Sequence, residues 1–140
     1  MRIAINGLMD ESMNVEPKIT SLVSKAWDLR VYQLAFQLAL DIHKASLEFP
    51  KIEQYALADQ LRRASKSICA NIAEGFAKQK YSKPEFSRFL SMAEASANEV
   101  NVWLQFSFKL DYITEQQYIN WTSQCETVAA QIVKLRPQNY

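Results

Sequence analysis

Between Gln60 and Gly75, in the stretch QLRRASKSICANIAEG, apolar residues return with the period of an α-helix. Leu57, Leu61, Ala64, Ile68 and Ile72 are separated by four, three, four and four residues, which places them on one helical face. Arg62, Arg63 and Lys66 fall on another face. Gly75 stands where a residue in the left-handed region ends a helix without a Cβ penalty. The sequence therefore predicts a helix from about Glu53 to Glu74, with no convincing N-cap, followed by a short basic loop from Gly75 to Tyr81. The same period recurs in three further segments, and no strand alternation is found. With two glycines and four prolines in 140 residues, little chain is left for irregular structure. That length forms one domain with a single core. The expected fold is all-α: an antiparallel up-down-up-down four-helix bundle over 27–137. A loosely helical or mobile leader occupies 1–26 and a tail 138–140, with Met1, Met9 and Met13 as alternative starts.

The first predicted helix starts at Asp28 as N-cap, with Trp27 and Tyr32 at the spacing of a hydrophobic staple, and runs to about Leu47. Val31, Leu34, Leu38, Ile42 and Ala45 make one apolar stripe. Leu29, Phe36, Leu40 and Leu47 make a second, with Tyr32 and His43 beside it. A helix at the edge of a monomeric bundle needs only one stripe. The second is covered either by the leader or by another subunit, and the subunit is the preferred reading. Phe49-Pro50 ends this segment.

The third helix has the strongest start signal. Ser82-Lys83-Pro84-Glu85 matches a capping box with proline in the first turn, and Tyr81 and Phe86 have staple spacing. Phe86, Leu90, Ala93, Ala97, Val100 and Leu104 then form a heptad-like seam, with Trp103, Phe106 and Leu110 as an apolar patch beside it. After a tight turn at Asp111-Tyr112, the fourth helix begins at Thr114 with Gln117 three residues on. It ends near Arg136, before Pro137. Tyr118, Trp121, Cys125, Val128, Ile132 and Leu135 supply its core face.

Enzymatic chemistry has little to stand on. His43 is the only histidine, and two separated cysteines do not make a zinc site of standard spacing. There is no Glu-x-x-His pair, glycine-rich phosphate loop or nucleophile elbow. Asn71 and Glu74 read as satisfying backbone groups near a helix end rather than as an acid–base pair. Cys69 and Cys125 read as reduced, buried small hydrophobes, which suits a cytoplasmic protein. No window reaches a membrane span, and the N-terminal residues lack the pattern of an export signal. No metal or other cofactor is expected.

Charge is segregated although the net charge is only +1. From Arg62 to Arg88 there are seven basic and two acidic residues, a local balance of +5, and the rest of the chain carries −4. Arg62, Arg63, Lys66, Lys78, Lys80 and Lys83, interleaved with Phe76 and Tyr81, are the candidate nucleic-acid-binding residues: cations pair with phosphates and aromatic faces stack on exposed bases. A single patch of six cations gives weak, salt-sensitive binding, and repetition around an oligomer multiplies it. Leu29, Tyr32, Phe36, Leu40, Leu47 and Trp103 are the candidate oligomer interface. Two functions remain in view: a non-enzymatic oligomer that binds structured RNA, and a protein-interaction scaffold that uses its apolar faces without touching nucleic acid.

The chain resembles the four-helix-bundle family of 23S rRNA intervening-sequence proteins, whose relatives include the accessory variability determinant of diversity-generating retroelements. The resemblance runs from about Trp27 to Leu135. It is carried above all by Gln60-x-x-Arg63-Ala64-x-x-Ser67-Ile68-x-x-Asn71-Ile72-Ala73-Glu74-Gly75. Leu29-x-Val31-Tyr32-x-x-Ala35, Phe49-Pro50-x-x-Glu53, Phe89-Leu90, Ala93, Ser96, Glu99 and Leu110-Asp111-Tyr112-Ile113 continue it. The resemblance implies a bacterial bundle that assembles into a ring-like homopentamer, with no enzymatic activity or cofactor, and carries over Arg63 and, less directly, Arg62 as basic positions. For the retroelement relatives it implies contacts with nucleic acid and a reverse transcriptase. Ala95 stands where the family often has glycine, and the near-neutral charge departs from the strongly basic retroelement proteins, which argues against that role.

Overall fold

The computed structural model describes residues 24–137. The leader expected at 1–26 lies outside them as far as Val23, as does the tail at 138–140. Four helices follow in order: α1 (Arg30–Ser46), α2 (Leu57–Lys78), α3 (Lys83–Lys109) and α4 (Glu115–Leu135), with 3₁₀ turns at Ala26–Asp28 and Lys51–Glu53. Each helix packs on its two neighbours in an antiparallel up-down-up-down bundle, and the diagonal pairs make no close backbone approach. The α2–α3 contact is the most extensive. The stripes read from the sequence converge on one core. Val31, Leu38 and Ile42 from α1, Leu61, Ile68 and Ile72 from α2, Leu90, Val100 and Leu104 from α3, and Cys125, Val128 and Ile132 from α4 are buried together.

Two helix starts follow the local code. The Ser82 hydroxyl accepts from the Glu85 amide at 3.2 Å. Glu85 does not reach back, however, and instead receives Arg88 Nε at 2.8 Å. At α4 the box is complete: Thr114 Oγ1 accepts from the Gln117 amide at 3.0 Å, and Gln117 Oε1 accepts from the Thr114 amide at 2.9 Å. The turn before it places Asp111 in the left-handed region, with φ of 64°. Aspartate tolerates this better than most non-glycine residues.

Elsewhere packing overrides the local code. α1 starts at Arg30 with Leu29 as an N-cap that has no side-chain cap, whereas Asp28 is the cap expected from the sequence. The Asp28 carboxylate instead accepts from the Lys25 amide at 3.3 Å within the 3₁₀ turn. Leu29 is 2% exposed, in the core. Fully burying a leucine is worth about 1.5–3 kcal/mol, against about 1 kcal/mol for a cap. The same shift leaves Trp27 exposed, so its staple with Tyr32 does not form. Tyr81, 84% exposed, does not staple to Phe86 either, because Phe86 lies in the core.

α2 also departs from its expected span. Residues 51–53 form the 3₁₀ turn, where Glu53 Oε2 accepts the Tyr112 hydroxyl proton at 2.9 Å. The helix begins four residues later, at Leu57, without a side-chain cap. Gly75 does not terminate it, since no glycine among the described residues has a positive φ. The helix runs on through Gly75 to Lys78. A Cβ at Gly75 would lie 3.0 Å from Phe89 Cβ and 3.4 Å from the Phe86 carbonyl oxygen, so glycine serves the close approach of α2 to α3. Farther along the same contact, Ser67 and Ser96 share a hydroxyl hydrogen bond of 2.9 Å. Asn71 Nδ2 donates to the Ser67 carbonyl at 2.9 Å, the backbone-satisfying role expected of it, but in mid-helix.

Candidate functional site

The sequence assigns six cations to one surface, and the fold sorts them into three situations. Arg62 is structural. Its Nη1 donates to Ser46 Oγ at 2.9 Å and to Gln54 Oε1 at 3.3 Å, and its Nη2 donates to the Gln54 carbonyl at 2.7 Å. Gln54 Nε2 in turn donates to the carbonyls of Ser46 and Phe49, each at 2.9 Å. The two side chains together satisfy groups left open at the C-terminal end of α1. Arg62, expected to contact nucleic acid, is placed with its guanidinium clamping the α1–α2 connection. Arg62→Ala is expected to lower stability by about 1–3 kcal/mol, because it strands part-buried acceptors. Urea unfolding measures this, and a midpoint equal to that of the original chain would deny the clamp.

Arg63 pairs with Asp59 at 3.0 Å while its side chain stays 76% exposed. Such a pair contributes at most about 1 kcal/mol, so the guanidinium remains accessible to a competing anion. Lys66, Lys78, Lys80 and Lys83 are exposed and form no ion pair among the described residues. The last three gather at the turn from α2 into α3, beside the exposed ring of Tyr81. The Glu85 carboxyl near this turn is held below the usual carboxylate range by the Arg88 hydrogen bond, with the charges of Arg88 and Lys78 adding to it. Phe76, expected to join Tyr81 as a stacking surface, packs against the core instead. Twelve residues of helix separate Lys66 from Lys78, roughly 18 Å. The basic surface is thus a lysine cluster at one end of α2 and an Arg63–Lys66 pair part-way along it.

A groove of about 500 Å³ runs between α1 and α2. Tyr32, Phe36 and Leu40 form one wall, with the rings of Tyr32 and Phe36 stacked at 5.9 Å between centroids. Ala70 and Ala73 form the other, and the buried Ala39 and Cys69 also line it. Phe36 is 47% and Leu40 38% exposed. Three of the six expected interface residues therefore come together, and Leu47 is exposed farther along, past the end of α1. Leu29 belongs to the core and is removed from that set. Trp103 lies on α3, diagonally across the bundle from α1, and donates Nε1 to Glu99 at 2.9 Å. Ala70 and Ala73 do not stand out in the sequence. Their signal is a pair of small residues three apart, off the core stripe of α2.

His43 and Lys66 are the basic side chains that line the groove among the described residues. His43 Nδ1 is buried without a hydrogen-bond partner. Burial lowers the ring's pKa below its ordinary value, and the charges of Lys66 and then Arg62 lower it further. Burial pushes the Cys69 thiol up to about 11 and the Cys125 thiol up to about 12. Both are protonated at neutral pH and poor nucleophiles. Among the described residues no three His, Cys, Asp or Glu side chains are grouped to hold a metal ion. No helix of these residues is long and apolar enough to cross a membrane.

The sequence matches the family of 23S rRNA-intervening sequence proteins over residues 27–134. The chain belongs to this family. The match reaches from before α1 into the last turn of α4 and begins at Trp27, where the resemblance read from the sequence begins. The backbone is similar to the crystal structure of a protein with unknown function from the S23 ribosomal protein family of Bacteroides thetaiotaomicron. The TM-score is 0.67 at 24% identity, covering 75% of this chain and 93% of that one. At this identity the likeness shows the fold. No curated protein matches the sequence.

Proposed function

We propose that this family member is a non-enzymatic homo-oligomer, a pentamer by the family resemblance, that binds structured RNA through a basic surface repeated around the assembly. The observation that carries this reading is the cluster of Lys78, Lys80 and Lys83, free of ion pairs among the described residues and adjacent to an exposed tyrosine ring. Lys66 and Arg63 extend it, and Arg62 drops out. Lysines are hydrated point charges suited to phosphates rather than to base edges, so the reading is of backbone and shape recognition. The family description, which names an intervening sequence of 23S rRNA, supports RNA as the polyanion. The groove between α1 and α2, which no described residue fills, supports association of copies, which would repeat a weak patch and raise avidity. The second reading, a scaffold that binds no nucleic acid, draws on the same groove and on the internal pairing of Arg62 and Arg63.

RNA affinity measured across a salt series on a sample of known light-scattering mass tests the proposal. The logarithm of affinity should fall steeply with the logarithm of salt. The triple variant Lys78→Ala, Lys80→Ala, Lys83→Ala should flatten that slope by about 0.7–0.9 for every phosphate it no longer neutralises. An oligomeric mass with no binding at about 50 mM salt, a condition that favours phosphate pairing, would overturn the RNA reading and leave the scaffold.

A further inference from the structure

Trp27 and Tyr81 have the spacing of hydrophobic staples, yet neither staple forms, and both rings are left in solvent: Trp27 is 56% and Tyr81 84% exposed. The fold brings them to the same end of the bundle. Arg62 meets Ser46 at 2.9 Å, and α1 and α2 run antiparallel. Nineteen residues back from Ser46 is Trp27, and nineteen forward from Arg62 is Tyr81. The 3₁₀ turn that carries Trp27 packs on α2 as well as on α1. Each ring stands on a fixed backbone. Ala26 and Leu29, to either side of Trp27, are buried, and the Trp27 carbonyl accepts from Gln33 Nε2 at 3.1 Å. The turn at Tyr81 is closed by the Lys78 carbonyl, which accepts from the amides of Tyr81 and Ser82, each at 2.9 Å. Cations accompany both rings. Lys25 Nζ lies 5.6 Å from the centre of the Trp27 ring, and Lys78, Lys80 and Lys83 flank Tyr81 in the chain. Of the carboxylates in these turns, Asp28 accepts from the Lys25 amide and Glu85 is held by Arg88. Neither forms an ion pair with a lysine among the described residues.

We propose that this end of the bundle takes unpaired nucleotides, with Trp27 and Tyr81 as stacking platforms for bases and with Lys25 and the lysines of the turn on the adjoining phosphates. The inference rests on the RNA reading above and names the kind of RNA it concerns. A duplex offers this surface its phosphates alone, because its bases are already stacked on one another. The bases of loops, bulges and ends can be splayed out onto aromatic faces. Lysines without rings would suffice for a duplex. Stacking reads no base edge, since every base has a π-face, and so it agrees with lysines that hold phosphates without reading sequence. The Lys25 ammonium over Trp27 is exposed, and a base stacked on the indole brings it a phosphate. The opposite end of the bundle supplies the contrast. Tyr55 is 96% exposed there, more than either ring, but Glu48, Glu53, Asp111 and Glu115 outnumber Lys51 and Lys109 in the turns around it. That balance repels a polyanion, so exposure of a ring does not by itself make a platform.

Affinity of the full chain for a single-stranded oligoadenylate, and for a blunt RNA duplex with the same number of phosphates, tests this across a salt series. Trp27→Ala and Tyr81→Ala should each weaken single-strand binding by about fivefold or more. The salt slope should be kept, because no phosphate contact is lost, and duplex affinity should not change. Trp27→Phe should recover most of the loss, and far-UV circular dichroism should show the helices intact in every variant. Tyr55→Ala, at the other end, should bind both RNAs as the original does. Alanine variants that keep their single-strand affinity would overturn the platforms and leave phosphate binding standing. A loss shared equally by the duplex, or matched by Tyr55→Ala, would do the same. An original chain that binds neither RNA at about 50 mM salt, where phosphate pairing is favoured, would overturn the RNA reading itself and the platforms with it.

Discussion

Phe36→Glu is expected to run as a monomer of 16.1 kDa by light scattering, with its helical circular dichroism unchanged. The expectation follows from the two faces of α1. Val31, Leu38 and Ile42 fill the core, whereas Phe36 stands nearly half exposed on the groove wall. In a separate subunit a glutamate there keeps its water, and an exposed substitution of this kind changes stability by roughly half a kcal/mol or less. In a closed interface the same carboxylate is stripped of water against Ala70, Ala73 and a neighbouring chain. An uncompensated buried charge costs about 3–5 kcal/mol, which at about 1.4 kcal/mol per tenfold weakens association by roughly two to four orders of magnitude. Among the described residues that line the groove, Lys66 is the one lysine or arginine placed to answer the new carboxylate. Lys66→Ala in the same chain should remove that relief. A Phe36→Glu chain that keeps the original mass would sink the interface assignment and, with it, the avidity that the proposed RNA binding requires.

Gly75→Val should lower stability by about 1–3 kcal/mol, as overpacking does, and urea unfolding with an unchanged m-value would record it. The added Cβ would lie 3.0 Å from Phe89 Cβ and 3.4 Å from the Phe86 carbonyl oxygen. Both belong to or adjoin the α3 backbone, so no rotamer change relieves them and the two helices must move apart. They form the most extensive contact of the bundle, and the Ser67–Ser96 hydrogen bond crosses it. Valine recovers only a few tenths of a kcal/mol of helix propensity over glycine, too little to offset the displacement. Gly75→Ala should cost less, because alanine recovers about 1 kcal/mol and brings only the one methyl group. Had Gly75 been a left-handed terminator, both substitutions would have been penalised through the backbone alone and with similar weight. A valine variant as stable as the original would mean that α2 and α3 can separate freely at this point.

The groove joins the two effects. α2 turns small residues to both sides: Gly75 toward α3, where the helices touch, and Ala70 and Ala73 toward α1, where the described residues leave a trough. The aromatic residues that would otherwise fill that trough, Tyr32 and Phe36, stack on each other along α1. The Arg62 clamp fixes how α1 meets α2 at one end of this arrangement, and so contributes to the shape of the groove without lining it.

What the sequence by itself determined was whatever is fixed within a few residues. The apolar period placed each core stripe on its face, and Ser82 and Thr114 found partners three residues away. The 49% apolar composition and near absence of glycine left four long helices with one core to share. The tertiary structure decided whatever depends on partners distant in the chain. Leu29 abandoned a helix position for the core, and Gly75 became a packing residue because α3 lies against it. The Arg62 guanidinium was drawn to Ser46 and Gln54, sixteen and eight residues away, which needed donors. Periodicity reports which face a side chain occupies. It carries no record of what stands opposite, and burial and hydrogen bonding across that gap outweigh the roughly 1 kcal/mol that a local signal commands.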